Sequence, residues 1–274
     1  VENDHEAGEI QAKRKHRKKA IVTVGIIGYG RFGRLAAQLL AGRVPVVVHD
    51  HGRAARRNAI AGISHGTITD AAAQSIVILA VPVSALREVL GSIAGFLRPG
   101  ALVVDVCAVK KSPVQWMKKL LPRSVSILGT HPLFGPDSCS GSVKGLRIVL
   151  CPVRGNAALW SLLKNALRGE GMIVEEMTPD EHDRMVARTV FLTQTVGRVI
   201  GSAGLARDDG GTVHYGHLRS IANVAANDSE QLFIDMYTYN PYARQVLQRL
   251  NRAVGALADK AGKPLLRAGE RKGR

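Results

Sequence analysis

The sequence predicts an α/β protein: an open sheet of parallel strands followed by an all-helical second half. Three observations carry that prediction. Short β-branched runs of strand length alternate with helical patterns as far as Met177, and strands separated by helices imply parallel crossovers. Beyond Met177 the strand signal stops. A length of 274 residues, with 46% hydrophobic and 22% charged residues, fits a globular chain of roughly two domains.

The elements follow in order. Residues 1–20 hold six basic and four acidic residues and no apolar stretch, which reads as a disordered leader rather than a secretory signal. Ile21–Gly28 is a continuous β-branched run, the mark of a strand buried on both faces. Phe32–Ala41 has helical spacing, with Leu35, Leu39 and Leu40 on one side. Val44–His49 and Ser75–Val81 are further strands, and Ala85–Leu97 is a helix with Leu86, Val89, Leu90, Ile93 and Leu97 on one face. Short strands are expected at Leu102–Val106, Ser126–Leu128, Arg147–Leu150 and Met172–Val174, with helices at Pro113–Leu121 and Ala157–Leu167. Thr178-Pro179-Asp180-Glu181 is a helix start, with a Thr cap, Pro in the first turn and an acid three residues on. One long helix is expected from there to about Ala203, then a Gly/Asp-rich loop at Gly204–Gly211, then helices at about His217–Tyr237 and Pro241–Ala258. Domain boundaries fall at 21–178 for the sheet and 179–259 for the helices, with a basic tail at 260–274. A few long helices make a thin core, so pairing with a second subunit is expected.

No apolar run approaches the ~18 residues of a membrane span. Three cysteines are too few, and odd in number, for a disulfide framework, which favours a reducing, cytoplasmic setting. The net charge of +16 raises the question of nucleic acid. Aromatics at 4% offer few stacking platforms, and an anionic cofactor with an anionic small substrate explains a positive body equally well. No cluster has metal-ligand spacing.

Gly28-Tyr29-Gly30-Arg31-Phe32-Gly33 closes the first strand and opens the first helix. In that context G-x-G-x-x-G is the Rossmann fingerprint for a dinucleotide. Gly28 permits the turn, Gly30 admits the pyrophosphate, and Gly33 lets helix and strand approach. Arg31 and Phe32 complete the loop, and the helix start supplies free N–H groups. Asp50, 20 residues past Gly30, ends the second strand where a carboxylate meets the adenosine ribose, favouring NAD over NADP. Arg53, Arg56 and Arg57 are close enough to serve a 2′-phosphate instead. Ala80-Val81-Pro82 ends a strand at the carboxyl edge, where the nicotinamide half is expected to pass. Gly129–Pro136 reads as a rigid loop presenting His131 at that same edge.

At Thr130-His131-Pro132-Leu133-Phe134-Gly135-Pro136 the sequence resembles the T-H-P-M-F-G-P segment of prephenate/arogenate dehydrogenases of tyrosine biosynthesis. The likeness continues in order. Val104–Lys110 resembles a D-x-x-S-V-K stretch, and Glu181-His182-Asp183 resembles the E-H-D that opens the helical domain. Phe191–Arg198 resembles F-x-T-H-T-x-G-R, and Tyr239-Asn240-Pro241 a late Y-N-P. The resemblance covers about residues 21–250 and looks closest to the plant-like, arogenate-using branch. It implies a dinucleotide domain, a helical dimerisation domain, and NAD(P)-dependent oxidative decarboxylation of a cyclohexadienol. His131 is then the acceptor of the substrate hydroxyl's proton. Arg198 is the first candidate for a substrate carboxylate and Arg219 the second, with Thr130 and Gln194 also at the substrate. Two departures stand out: Ala108 replaces the serine expected to bond the histidine, and Gln194 replaces a histidine. They leave open a related oxidoreductase acting on another small acid, or a nucleotide-binding homologue with impaired chemistry.

Overall fold

A computed structural model describes residues 22–52, 60–207 and 210–262. The expected leader, Arg53, Arg56 and Arg57, and residues 263–274 of the expected tail lie outside the described residues. Eight strands form one sheet in the order β3-β2-β1-β4-β5-β6-β7-β8. These are β1 (Val24–Ile27), β2 (Val46–His49), β3 (Ile63–His65), β4 (Ile76–Leu79), β5 (Leu102–Asp105), β6 (Ser126–Pro132), β7 (Arg147–Arg154) and β8 (Ile173–Glu176). Helix α1 (Arg31–Leu40) follows β1, α2 (Ile68–Ala72) precedes β4, and α3 (Val83–Ile93) leads to β5. Helix α4 (Lys111–Leu120) leads to β6, and α5 (Ala157–Gly169) joins β7 to β8.

The first six strands are parallel, and the chain order reverses on either side of β1. That reversal opens a crevice at the carboxyl ends of β1 and β4, where α/β sheets bind ligands. All four residues of β1 are buried, as its β-branched run predicts. Gly25 in β1 admits α2: a Cβ there would lie 1.9 Å from the Ala71 carbonyl oxygen.

Three expectations are corrected. β7 runs antiparallel to β6, where alternating strands and helices implied parallel neighbours. β6 continues through His131 to Pro132, because its last residues pair with Ile148–Leu150 of β7. His131 is thus a strand residue, not a loop residue. β3 and α2 escaped the sequence reading, since three strand residues between Gly62 and Gly66 are too few for a periodic signal. The Thr67/Asp70 capping box of α2 was the available sign.

The second half is helical: α6 (Pro179–Arg188), α7 (Val190–Ser202), α8 (Val213–Asn227), α9 (Glu230–Tyr239) and α10 (Ala243–Gly262). Helix α6 starts at the predicted Thr178–Glu181 capping box. The long helix breaks at Thr189, whose hydroxyl donates back to the Met185 carbonyl (2.9 Å). The next one breaks at Asp228, because Ser229 caps α9 by accepting from the Leu232 N–H (3.2 Å). Phe191 of α7 stacks on Phe233 of α9 and belongs to the same buried cluster as the α3 face, so the helices share a core with the sheet.

Candidate active site

The glycine loop has the geometry of an anion cradle. Gly28 has φ +98°, and a Cβ there would lie 2.3 Å from the Ala80 carbonyl oxygen. At Gly33 a Cβ would lie 2.0 Å from the Gly28 carbonyl oxygen. At Gly30 a Cβ would project into space with no heavy atom within 4 Å. No side chain caps α1 and no acid stands in its first turn, so its leading N–H groups are left for a ligand. Asp50 is fixed beside this loop. Its Oδ2 accepts from the Tyr29 N–H (2.6 Å) and its Oδ1 from the Gly52 N–H (2.7 Å). Ala80 and Val81 form the opposite wall against Gly28, with Pro82 exposed beyond them at the start of α3. A cavity of about 480 Å³ runs from Gly30 and Arg31 along α1 to Pro136 and Cys139. These residues fit a dinucleotide.

His131 stands at the same edge of the sheet. Phe134, just beyond it, meets Phe32 of the glycine loop with ring centroids 6.3 Å apart. The imidazole heads a buried chain: His131 Nδ1 lies 2.9 Å from His182 Nε2, and His182 Nδ1 lies 2.8 Å from Asp183 Oδ1. Asp183 also accepts from the Lys110 N–H (2.7 Å) and the Lys111 N–H (3.0 Å), and Asn240 donates to its carbonyl (2.8 Å). The order of this chain assigns its protons. A carboxylate only accepts, so His182 Nδ1–H donates to Asp183 and His182 Nε2 is an acceptor. His131 must then donate through Nδ1–H, which leaves its Nε2 as a lone pair. The ring's hydrogen bond runs through Nδ1, and His131 retains 7% exposure. Burial, with the neighbouring His182 and the Lys110 charge, holds the His131 imidazolium well below the usual histidine range. Burial also lowers His182, against the opposing pull of Asp183.

Beneath the pair lies a fully buried ion pair, Lys110 with Asp105. Gly129 makes room for it: a Cβ there would come within 3.3 Å of Lys110 Cδ. Ala108 has no side-chain polar atom to offer, and Cys107 turns its thiol to the Val81 carbonyl. His182 therefore supplies the polar partner of His131. In the sequence, His182 and Asp183 stand out only as part of the Glu181-His182-Asp183 motif that opens a helix. The overlooked sign was two polar residues set one turn inside a well-capped helix, where burial demands partners.

The other expected substrate residues make contacts of their own. The Thr130 hydroxyl donates to the Asp105 carbonyl (2.6 Å), and neighbours on a strand face opposite sides, so it points away from His131. Gln194 donates to Asp228 Oδ2 (2.7 Å). Arg198 donates through Nη2 to the carbonyls of Asp228 and Ser229 (3.0 and 2.9 Å) and lies over the Phe233 ring, which anchors the α8–α9 corner. Arg219 is half-buried on α8. Glu175 and Glu176 pair with Arg147 and Lys164. Among the described residues there is no metal-binding cluster, and no helix is long and apolar enough to cross a membrane.

Comparison with known proteins bears on the family and the fold. The family profile of the prephenate dehydrogenase nucleotide-binding domain matches residues 41–175, and that of a TYRAAT1-like C-terminal domain matches residues 199–265. Arogenate dehydrogenase 2, chloroplastic, of Arabidopsis thaliana is 32% identical over 257 residues, covering 89% of this chain and 71% of that protein. Arogenate dehydrogenase 1, chloroplastic, of the same plant is 32% identical over 250 residues; the match covers 85% of this chain but 38% of that longer relative. Among solved structures, prephenate dehydrogenase of Aquifex aeolicus in complex with hydroxyphenyl propionate and NAD+ superposes with a TM-score of 0.70 at 18% identity, covering 89% of this chain and 91% of that one. Synechocystis arogenate dehydrogenase superposes with a TM-score of 0.61 at 19% identity, covering 88% and 94%. At these identities the structural likeness bears on the fold.

Proposed function

The chain belongs to the prephenate/arogenate dehydrogenase family, and from that membership we propose that it catalyses the NAD(P)-dependent oxidative decarboxylation of arogenate or prephenate in tyrosine biosynthesis. The observation that carries this reading is the His131–His182–Asp183 chain, which leaves a neutral imidazole with a free Nε2 at the edge of a sheet bearing a glycine cradle. When bound, the dinucleotide supplies the hydride acceptor. His131 Nε2 takes the proton of the substrate's ring hydroxyl as the carbinol carbon gives up its hydride. The charge that forms on the imidazole is stabilised through His182 by Asp183, whose carboxylate is held by the N–H groups of Lys110 and Lys111. Loss of CO₂ from the ring then leaves an aromatic product.

Gly28, Gly30 and Gly33 are proposed to seat the pyrophosphate. Asp50 keeps lone pairs for the ribose hydroxyls, which supports NAD over NADP. A cytoplasmic setting is supported by three cysteines that are all free and buried. A homodimer is supported by exposed apolar residues on α8 and α10. The reading of impaired chemistry loses its main support, because the bond denied to Ala108 is made by His182.

The test is absorbance of the reduced nicotinamide with purified protein and each pairing of NAD or NADP with arogenate or prephenate. Turnover is expected with at least one pairing, and NAD is expected to give the larger kcat/KM. Four flat traces would reject the dehydrogenase.

A further inference from the structure

Arg31 makes contacts that the chemistry above does not use. It is the first residue of α1, beside the N–H groups left for an anion. Yet its guanidinium reaches across the mouth of the cleft. Nη2 donates to both oxygens of Asp137 (2.8 and 2.7 Å), on the loop that follows the His131 strand. Nη1 donates to Asp228 Oδ1 (3.1 Å) and to the Asn227 carbonyl (2.9 Å), at the end of α8. Asn227 Nδ2 closes the ring by donating to Asp137 Oδ1 (3.3 Å). One side chain thus ties together the glycine loop, the segment after His131 and the helical half. Asp228 also accepts from Gln194, so the tie extends into α7.

The position of Arg31 at an uncapped helix start makes this tie sensitive to anions. Two carboxylates share the Arg31 guanidinium beside a helix start suited to phosphate, and Arg198 is the second cation facing Asp228. A pyrophosphate on that helix start and the two carboxylates cannot all be satisfied by one Arg31. The Arg31–Asp137 contact runs from the one nitrogen Nη2 to both carboxylate oxygens and is exposed, so a doubly charged ligand can displace it.

We propose that the Arg31–Asp137–Asp228 bridge is a latch across the cleft, and that its carboxylates compete with the dinucleotide pyrophosphate for Arg31. The latch rests on the dinucleotide reading above. Binding of the dinucleotide then withdraws Arg31 from the helical half and loosens the cleft mouth for the second ligand.

The test is a double-mutant cycle of dinucleotide affinity, measured by titration calorimetry with NAD and NADP as probes. D137N, nearly isosteric and on an exposed loop, is expected to bind dinucleotide about two- to fivefold more tightly than the natural chain, the size one exposed ion pair carries. R31Q is expected to bind about tenfold more weakly. R31Q/D137N should match R31Q, because the gain from losing Asp137 depends on freeing Arg31. An unchanged or weakened D137N overturns the latch. So does a gain that persists in the R31Q background, which would mark simple relief of charge repulsion. If the natural chain binds neither dinucleotide, the reading beneath the latch fails and the latch with it. Binding by the natural chain with no effect of D137N rejects the latch alone.

Discussion

A histidine is a useful base only if one nitrogen is free and the ring is neutral, and both conditions are set around His131 by its neighbours. Asp183 fixes the His182 tautomer, and His182 fixes that of His131. H131N is therefore expected to lower kcat by roughly 10²–10⁴-fold while leaving the dinucleotide Kd within about twofold. Equal losses in both would remove His131 from the chemistry. H182A should cost roughly 10–100-fold in kcat with little change in Kd, as loss of an orienting partner does elsewhere. The depressed His131 titration also fixes a pH signature. The base stays neutral below pH ~6.5, so the acid limb of kcat/KM should lie below that value. A limb at or above it would contradict the burial argument. Stability follows with the same sign. In the unfolded chain the ring titrates near ~6.5, and in the fold it titrates lower, so the unfolded state binds the extra proton between the two values. Acidification through that window should lower Tm, and H131N should flatten the slope.

At the scale of elements, glycines record which surfaces touch. A Cβ at Gly197 of α7 would lie 2.7 Å from both the Ala225 Cβ and the Ile221 carbonyl oxygen of α8. G197A should therefore cost about 1–3 kcal/mol by wedging the two helices apart, read from denaturant unfolding. Gly91 lies inside α3, exposed, with nothing within 4 Å. G91A should gain about 0.5–1 kcal/mol from helix propensity alone. Opposite signs for the two are the expectation, and the same sign for both would undo the packing argument. The legibility of these elements followed from how local their causes are. The β1 run, the glycine loop and the Thr178 cap are each decided within a few residues, and each was readable. The extension of β6 through His131 is decided by pairing with β7, where His131 meets Val149, and no local pattern announces it. The break at Thr189 depends on one hydroxyl choosing a backbone carbonyl. The partnership of His131 with His182 joins residues 51 apart, so only the fold could reveal it.

At the scale of the whole molecule, the helical half exposes more apolar surface than a solitary chain has reason to keep. Helix α10 is 20 residues long, and its Val246 and Leu247 pack on the chain's own core. Its apolar stripe continues past that core through Leu250 to Val254 and Leu257, the last two 59% and 67% exposed. Val213, Leu218 and Val224 of α8 are likewise exposed. An amphipathic helix running clear of its core is marginal in water, and a self-complementary two-fold pairing is the simplest cover. Sedimentation should accordingly give about twice the 29.4 kDa chain mass. V254E/L257E should shift the chain towards monomer and lower its Tm. The charge of +16 opposes this association, because two strongly basic chains repel one another. Salt screens that repulsion without weakening apolar contact, so dimerisation should tighten as ionic strength rises. A dimer that dissociates with added salt would instead be held by ion pairs. A monomer independent of concentration would leave the α10 stripe without a purpose in the free protein.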